Sequence, residues 1–335
     1  MDQRYGLILG QGRSGTNWIL DSLDASPMTF CRNEPNECVP SVMDLLPNPW
    51  RIGADGARLA QLWDRVAEET LLLMGERDHR LNHPKTFVNP LSQRLGIAQL
   101  SARPRLRKQL SRVLWSWGDG EWRMPQWVGH LDDPEIFGVF KLVQGYNWAT
   151  WVLDNRPGVP VVQVVRHPAG RHESFLRRYI ATADAEETRL GKIEQLRELV
   201  PETILAERMG PLDDLTLEEA ETWFSVYQME MFEQRASGNS GYLRVSYENM
   251  VVDPWQVLEQ IFDHFDLPLT SDVQERIERQ KNFSVFGAVT KESTELTNGW
   301  RERLDPDVAQ RIVDIVDSSP ISSWWSGDDQ GQVAA

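Results

Sequence analysis

Residues 6 to 18 place the most reactive-looking side chains of the chain beside its most constrained backbone. Leu7, Ile8 and Leu9 read as a short buried strand, a tight turn follows from Gly10 to Gly15, and an amphipathic helix opens at Thr16 with Ile19, Leu20 and Leu23 on one face. Such a strand–turn–helix junction aims several backbone N–H groups at one point, at the positive end of a helix dipole, and suits a phosphate or a sulfate. The spacing of Gly10, Gly15 and Thr16 imitates a Walker A loop, but the lysine expected between the last glycine and the hydroxyl is missing. The cation, Arg13, instead precedes Ser14, Gly15 and Thr16. That displacement argues for a phosphate grip other than the ATP-hydrolysing one.

A second anion site follows far along the chain. Val159 to Val165 reads as a buried parallel strand ending in Arg166, His167 and Pro168, with Ser174 eight residues after Arg166 and Arg178 four residues after Ser174. Pro168 can open a helix, which puts positions 174 and 178 one turn apart on one face. An arginine at a strand end, met by a serine and a second arginine from the next helix, makes a site for a dianionic phosphate. The alternative is a basic helix start in water, since Arg171, Arg177 and Arg178 could all face solvent.

The two elements together resemble the sulfotransferases that use 3′-phosphoadenosine 5′-phosphosulfate (PAPS). On that resemblance Gly12, Arg13, Ser14, Gly15, Thr16 and Asn17 form the 5′-phosphosulfate loop, and Arg166, Ser174 and Arg178 grip the 3′-phosphate. Asn17 replaces the second threonine commonly found there and can still donate a hydrogen bond. Phe137 to Val143 reads as a strand carrying Lys141, 25 residues before Arg166, which matches the family's catalytic lysine at the bridging oxygen of the leaving group. The strand Tyr242 to Ser246 with Tyr247, Glu248 and Asp253-Pro254 resembles the family's approach to the last helices, and Tyr247 joins the cofactor set. Lys291 with Asn298-Gly299-Trp300-Arg301 is similar to the closing segment over the nucleotide, where Lys291, Arg301 and Arg303 compete for the basic role and Trp300 supplies the cover. The resemblance touches residues 5 to about 318.

The base of the cytosolic branch, a histidine two residues after the lysine, is absent, because that position is Val143. In the protein-tyrosine and several bacterial branches a glutamate about twenty residues past the first loop takes the proton, and Glu34 falls on that position, with Glu37 as competitor. A base must reach the attacking hydroxyl by a hydrogen bond. Arg13, Lys141 and Glu34 are therefore the expected catalytic residues, with Arg13 and Lys141 neutralising charge as in phosphoryl transfer. The resemblance implies PAPS as co-substrate, 3′,5′-adenosine bisphosphate (PAP) as product, and a hydroxyl-bearing acceptor that is a glycan, a lipid or a small molecule. No metal is signalled, for the six histidines show no ligand spacing.

The chain of 335 residues carries 50 acidic and 35 basic side chains, a net charge of −15. That balance argues against nucleic acid and anionic membranes as general partners, and leaves nucleotide binding to a local basic cleft. Strand–helix alternation predicts one α/β domain with a central, mostly parallel sheet flanked by helices, and the resemblance implies that this is a P-loop-like sulfotransferase architecture over 1–325. An acceptor-specificity or lid insertion is expected at about 50–135, and a disordered polar tail over 326–335. Leu59 to Met74 reads as helical and Ala183 to Val200 as an exposed helix or lid. Arg103, Arg105, Arg107, Lys108 and Arg112 precede Trp115, Trp117, Trp122 and Trp127; they form either a stacking lid for the acceptor or a solvated helix with core filler. Cys31 and Cys38 give no disulfide framework, though they flank Glu34 and could pair if oxidised. With no secretory segment and no membrane-length apolar run, the expected location is the cytoplasm. Two rival functions are a P-loop kinase or nucleotidase, which should show the loop lysine and a strand-end aspartate for Mg²⁺, and a non-catalytic nucleotide-binding protein.

Overall fold

The structure, a computed structural model, describes residues 4–35, 49–53, 55–68, 73–74, 79–80, 83–94, 122–123, 135–179, 185–282 and 297–325. The strands are β1 (Arg4–Gly10), β2 (Thr29–Asn33), β3 (Leu73–Met74), β4 (His79–Arg80), β5 (Trp122–Arg123), β6 (Phe137–Val143), β7 (Val161–Val165) and β8 (Tyr242–Ser246). Six of them form one sheet in the order β4-β2-β6-β1-β7-β8, while β3 and β5 pair separately as an antiparallel ribbon. Five neighbouring strands of the sheet run parallel, and only the edge strand β4 is antiparallel to β2. The expected α/β architecture with a mostly parallel sheet is what the chain adopts.

Parallel strands bury both faces, and the apolar runs of the central strands follow from that. On β1, Leu7 and Leu9 enter one core and Ile8 the opposite one, all three fully buried. The helices that cover these faces are α1 (Thr16–Asp24), α2 (Gly56–Trp63), α3 (Pro90–Arg94), α4 (Tyr146–Asn155), α5 (Pro168–Tyr179), α6 (Ala185–Leu199), α7 (Leu217–Ala236), α8 (Tyr247–Val252), α9 (Pro254–His264), α10 (Ser271–Asn282), α11 (Trp300–Arg303) and α12 (Pro306–Asp317). Ile19, Leu20 and Leu23 of α1 pack with Leu258, Ile261 and Phe262 of α9 against Ile8 and Val139, as the stripe on α1 predicted. On the other face Tyr146 and Trp148 of α4, Val226, Met229 and Phe232 of α7 and Ile312 of α12 enclose Leu7, Phe140 and Val161. Among the described residues no helix is long and apolar enough to cross a membrane.

Three expectations need adjustment. The strand expected from Val159 begins at Val161 and buries Gln163 fully, with Gln163 Oε1 taking a hydrogen bond from Tyr242 of the neighbouring β8. The helix expected over Leu59 to Met74 ends at Trp63 and continues as one wider turn to Glu68, while Leu73 and Met74 pair with β5. The stripe Leu59, Leu62, Trp63, Val66 and Ala67 has helical spacing and is buried; beyond it Leu71 to Met74 is uniformly apolar and carries no such period. The charged helix α6 is anchored, because Ile193 and Leu196 are buried with Trp223 and Phe224 of α7. Helix α7 thus buries opposite sides in two cores, and a Thr216–Glu219 capping box fixes its start.

Candidate active site

The parallel register brings the carboxyl ends of five strands to one edge of the sheet. Gly10 of β1 pairs with Val143 of β6 and Val164 of β7, Asn33 of β2 with Lys141, and Val165 with Ser246 of β8. The crevice outside the carboxyl ends of an open α/β sheet is where such folds bind ligands. The first loop follows β1, Glu34 follows β2, Lys141 lies on β6, Arg166 follows β7 and Tyr247 follows β8, so these sequence-derived residues share that edge.

The first loop is set by backbone shape. Arg13 and Gly15 both have left-handed φ values, 75° and 95°, which fold Gln11 to Gly15 tightly enough to start α1 at Thr16. A Cβ on Gly15 would stand 2.6 Å from Met250 Cε and 2.9 Å from Tyr247 Cδ2, so only glycine fits between this turn and α8. Ser14 is buried, and its hydroxyl donates to Gln11 O at 2.7 Å. The first N–H groups of α1 lack an intrahelical acceptor, as at any helix start, a geometry that suits an anion.

The second arginine closes on that loop. Arg166 follows β7 and donates from Nη1 to Arg13 O at 2.8 Å, while its guanidinium lies over the Tyr247 ring, 4.1 Å from the centroid. Arg13 Nε donates to Ser174 Oγ at 3.0 Å, so the loop at one end of the site and helix α5 at the other already touch. Arg166 Nε is buried without a hydrogen-bond partner among the described residues. An unmatched buried donor on an arginine, against the first turn of α5 at Gly170, is a group that fits a phosphate oxygen.

His167 extends this wall. Its Nδ1 accepts from Ala169 N at 3.1 Å at the start of α5, its own N–H donates to Glu248 Oε1 at 3.0 Å, and its ring stacks on Trp300 at 4.8 Å. Burial, with the Arg301 and Arg166 charges adding to it, holds the imidazole down to about 3, so the ring is neutral. Trp300 is itself buried, against His167 and beside Gly170, and Arg301 lies over its indole at 4.4 Å. Arg303 is engaged elsewhere, its Nε donating to Glu173 Oε1 of α5 at 2.8 Å. Burial likewise pushes the Glu248 carboxyl up.

The third part lies two strands away. Lys141 is buried on β6 and donates from Nζ to Asn33 Oδ1 at 2.9 Å and to Glu34 Oε1. Glu34 is pinned twice, for its N–H also donates to Lys141 O at 2.8 Å, and its left-handed φ of 52° turns the side chain back over the lysine. A non-glycine residue held at such a φ is a local strain that tertiary contacts must maintain, and strained residues gather at functional sites. The pair juxtaposes a proton acceptor and a cation at the sheet edge.

The structure therefore gathers Arg13, Ser14, Gly15, Arg166, Ser174 and Tyr247 in one cluster, with Trp300 and Arg301 against its rim and Lys141 with Glu34 nearby on the edge. Gly12 borders Val143, Thr16 is buried, and Asn17 is exposed. Arg178 is placed on α5 by its backbone alone. Lys291, Glu37, Cys38, the Arg103–Arg112 basic cluster, Trp115, Trp117, Trp127 and the 326–335 tail lie outside the described residues; of Trp122 the β5 backbone is described. Cys31 is buried on β2, where burial pushes its thiol far up. Sequence reasoning missed Asn33, His167 and Gln11 as site builders. Asn33 and Gln11 each adjoin a motif residue, so adjacency could have marked them.

Comparison with solved structures gives distant likenesses. The chain is 14% identical to the sulfotransferase domain from the curacin biosynthetic pathway, covering 95% of this chain and 98% of that one at a TM-score of 0.44. The sulfotransferase domain from the Synechococcus PCC 7002 olefin synthase is 17% identical, with coverages of 93% and 94% and a TM-score of 0.41. Mouse sulfotransferase SULT7A1, solved with PAP, is 9% identical, with coverages of 97% and 89% and a TM-score of 0.43. No curated protein sequence gives a significant match. Residues 7–272 match the model of the sulfotransferase family, a span that runs from β1 into α10 and includes both candidate anion-binding elements, and the chain belongs to that family.

Proposed function

We propose that the protein transfers a sulfuryl group from PAPS to a hydroxyl acceptor, with Glu34 as the base. The observation that carries this reading is the linked pair of candidate anion sites: Arg166 Nη1 donates to Arg13 O while Arg13 Nε donates to Ser174 Oγ, so the first loop and the segment after β7 meet at one edge of the sheet. Two such sites suit a nucleotide with anionic groups at both the 5′ and 3′ positions, and the 3′ set (Arg166, Ser174, Arg178) has no purpose for ADP or ATP.

In this mechanism the loop from Gly12 to Asn17 receives the phosphosulfate, with Arg13 and the opening N–H groups of α1 neutralising its oxygens. Tyr247 carries Arg166, and Trp300, Arg301 or Lys291 cover the nucleotide side. Lys141 leaves Glu34 for the bridging oxygen between sulfur and the 5′-phosphate. The acceptor oxygen attacks sulfur in line, the bond from sulfur to that bridging oxygen breaks, and the acceptor proton passes to Glu34. The sulfate ester and PAP are the products, and charge on the departing phosphate is met by Lys141. Positioning and charge neutralisation supply most of the rate, as in phosphoryl transfer. Residues 1–325 act as one sulfotransferase domain, with about 50–135 forming the acceptor side. Glycans, lipids and small molecules all remain within the acceptor class.

The test is transfer of ³⁵S-labelled sulfate from PAPS to a panel of hydroxyl acceptors, with Glu34→Gln as the paired variant. Transfer by the wild type that falls about 10²- to 10⁴-fold in Glu34→Gln is the expected outcome for a lost general base. Wild-type turnover in Glu34→Gln refutes the base assignment.

A further inference from the structure

Helix α7 carries two buried polar residues that the transfer mechanism leaves without a role. Glu221 and Ser225 are 4% and 2% exposed and stand one turn apart on the same face of the helix. Each is tied to a different anion-binding segment.

Ser225 holds the 5′ loop from behind. Gln11 Nε2 donates to Ser225 O at 2.9 Å, and Ser225 Oγ donates back to Gln11 Oε1. Gln11 O in turn receives both the hydroxyl and the N–H of Ser14, at 2.7 and 3.2 Å. The inner side of the loop is therefore fastened to α7 through the buried Gln11 and Ser225. Glu221 holds the 3′ helix. Its Oε2 accepts from His172 Nδ1 at 3.3 Å and lies 3.9 Å from Arg171 Nη2, and His172 precedes Ser174 by two residues on α5. Burial alone would push the Glu221 carboxyl up, but the His172 hydrogen bond with the Arg171, His172 and Lys192 charges holds it below the ordinary carboxylate range.

Buried polar ties of this kind add little net stability, since desolvation offsets them; what they provide is direction and register. A ligand with two anionic groups gains from both only when the two subsites are held at its own span, because the second contact is then made at high effective concentration. We propose that α7 is the spacer that sets the separation of the 5′ loop and the 3′ helix, with Ser225 and Glu221 as positioning residues, so that the protein selects nucleotides phosphorylated at both the 5′ and 3′ positions. This rests on the PAPS reading above.

The test compares calorimetric affinities for PAP and for 5′-AMP, which lacks the 3′ group, in the wild type, Ser225→Ala, Ser225→Thr and Glu221→Gln. Ser225→Ala and Glu221→Gln should each cut the PAP-to-AMP affinity ratio about five- to tenfold, as expected when a chelating span is loosened, while AMP affinity falls by no more than the roughly two- to fivefold that a freed loop costs. The hydroxyl retained in Ser225→Thr should restore the ratio. The double variant Ser225→Ala/Glu221→Gln should fall short of additivity, because either break releases the same spacing. A merely structural role lowers the melting temperature and leaves the ratio unchanged, and that result overturns the spacer. If Glu221→Gln does not fold, Ser225→Ala with its threonine control decides alone. A wild type that does not prefer PAP over AMP refutes the PAPS reading and the spacer with it, whereas a preference that all variants retain refutes the spacer only.

Discussion

Arg166→Ala is the substitution with the most specific consequence. The guanidinium makes a 2.8 Å hydrogen bond to Arg13 O, lies 4.1 Å over Tyr247, and keeps a buried Nε without a partner among the described residues. A charge-assisted bond to a phosphate is worth about 1.5 to 3 kcal/mol. Freeing the loop that Arg166 now orders adds roughly 0.5 to 1 kcal/mol, paid again each time the nucleotide binds. Together these give about 2 to 4 kcal/mol, or about a 30- to 1000-fold rise in the PAP dissociation constant. AMP has no 3′-phosphate and should lose only the loop contribution, about two- to fivefold. The assay is calorimetric titration of both ligands, with circular dichroism to show that the fold is retained. Equal losses for PAP and AMP, or a PAP loss under about threefold, would show that Arg166 does not bind the 3′ group. Arg166→Lys should recover little, since an ammonium cannot stack on Tyr247 and fork to two acceptors.

Three further outcomes are expected. Lys141→Ala should lower turnover by about 10² or more, the scale of losing one preorganised charge at a developing anion, while PAP affinity measured by calorimetry stays within a few-fold; unchanged turnover would remove Lys141 from the chemistry. Gly15→Ala places a Cβ 2.6 Å from Met250 Cε at φ 95° and should cost about 1 to 3 kcal/mol, read as a melting-point drop of several degrees; a neutral effect would contradict the tight turn. His167 is held at about 3 in the native protein, against about 6.5 for a free imidazole. Between those values the unfolded chain binds the extra proton, so stability falls as pH drops from 6.5 toward 3, by up to about 1.4 kcal/mol per unit. His167→Asn keeps an acceptor for Ala169 N–H and cannot titrate there, so its urea midpoint should vary less than wild type between pH 7 and 5; identical pH slopes would refute the buried neutral ring.

The parts that were readable in the sequence are those whose physics is local. The loop from Gly10 to Thr16 announces itself because glycine spacing, a strand and a helix start lie within a dozen residues. The strands β1, β6 and β7 show because burial on both faces demands apolar runs, against which Lys141 and Arg166 stand out. Contacts that depend on distant packing carry no comparable mark. Gln11 and Ser225 are 214 positions apart, and a serine in the middle of α7 is unremarkable until the fold brings it behind the loop. The Glu34–Lys141 pair has the same character: either residue alone is a loop glutamate or a strand lysine, and the parallel pairing of Asn33 with Lys141 makes them neighbours. The helix expected through Met74 was overextended because a uniformly apolar stretch satisfies helix and strand alike, and tertiary pairing with Trp122 decides it.

Calorimetric titration of the protein with 3′,5′-adenosine bisphosphate and with ADP, both without metal, bears most directly on the central claim. The account predicts tight binding of the bisphosphate and little binding of ADP, because only the former reaches from the Arg13 loop to Arg166 and Ser174. Equal affinities, or binding that appears only with Mg²⁺, would contradict it.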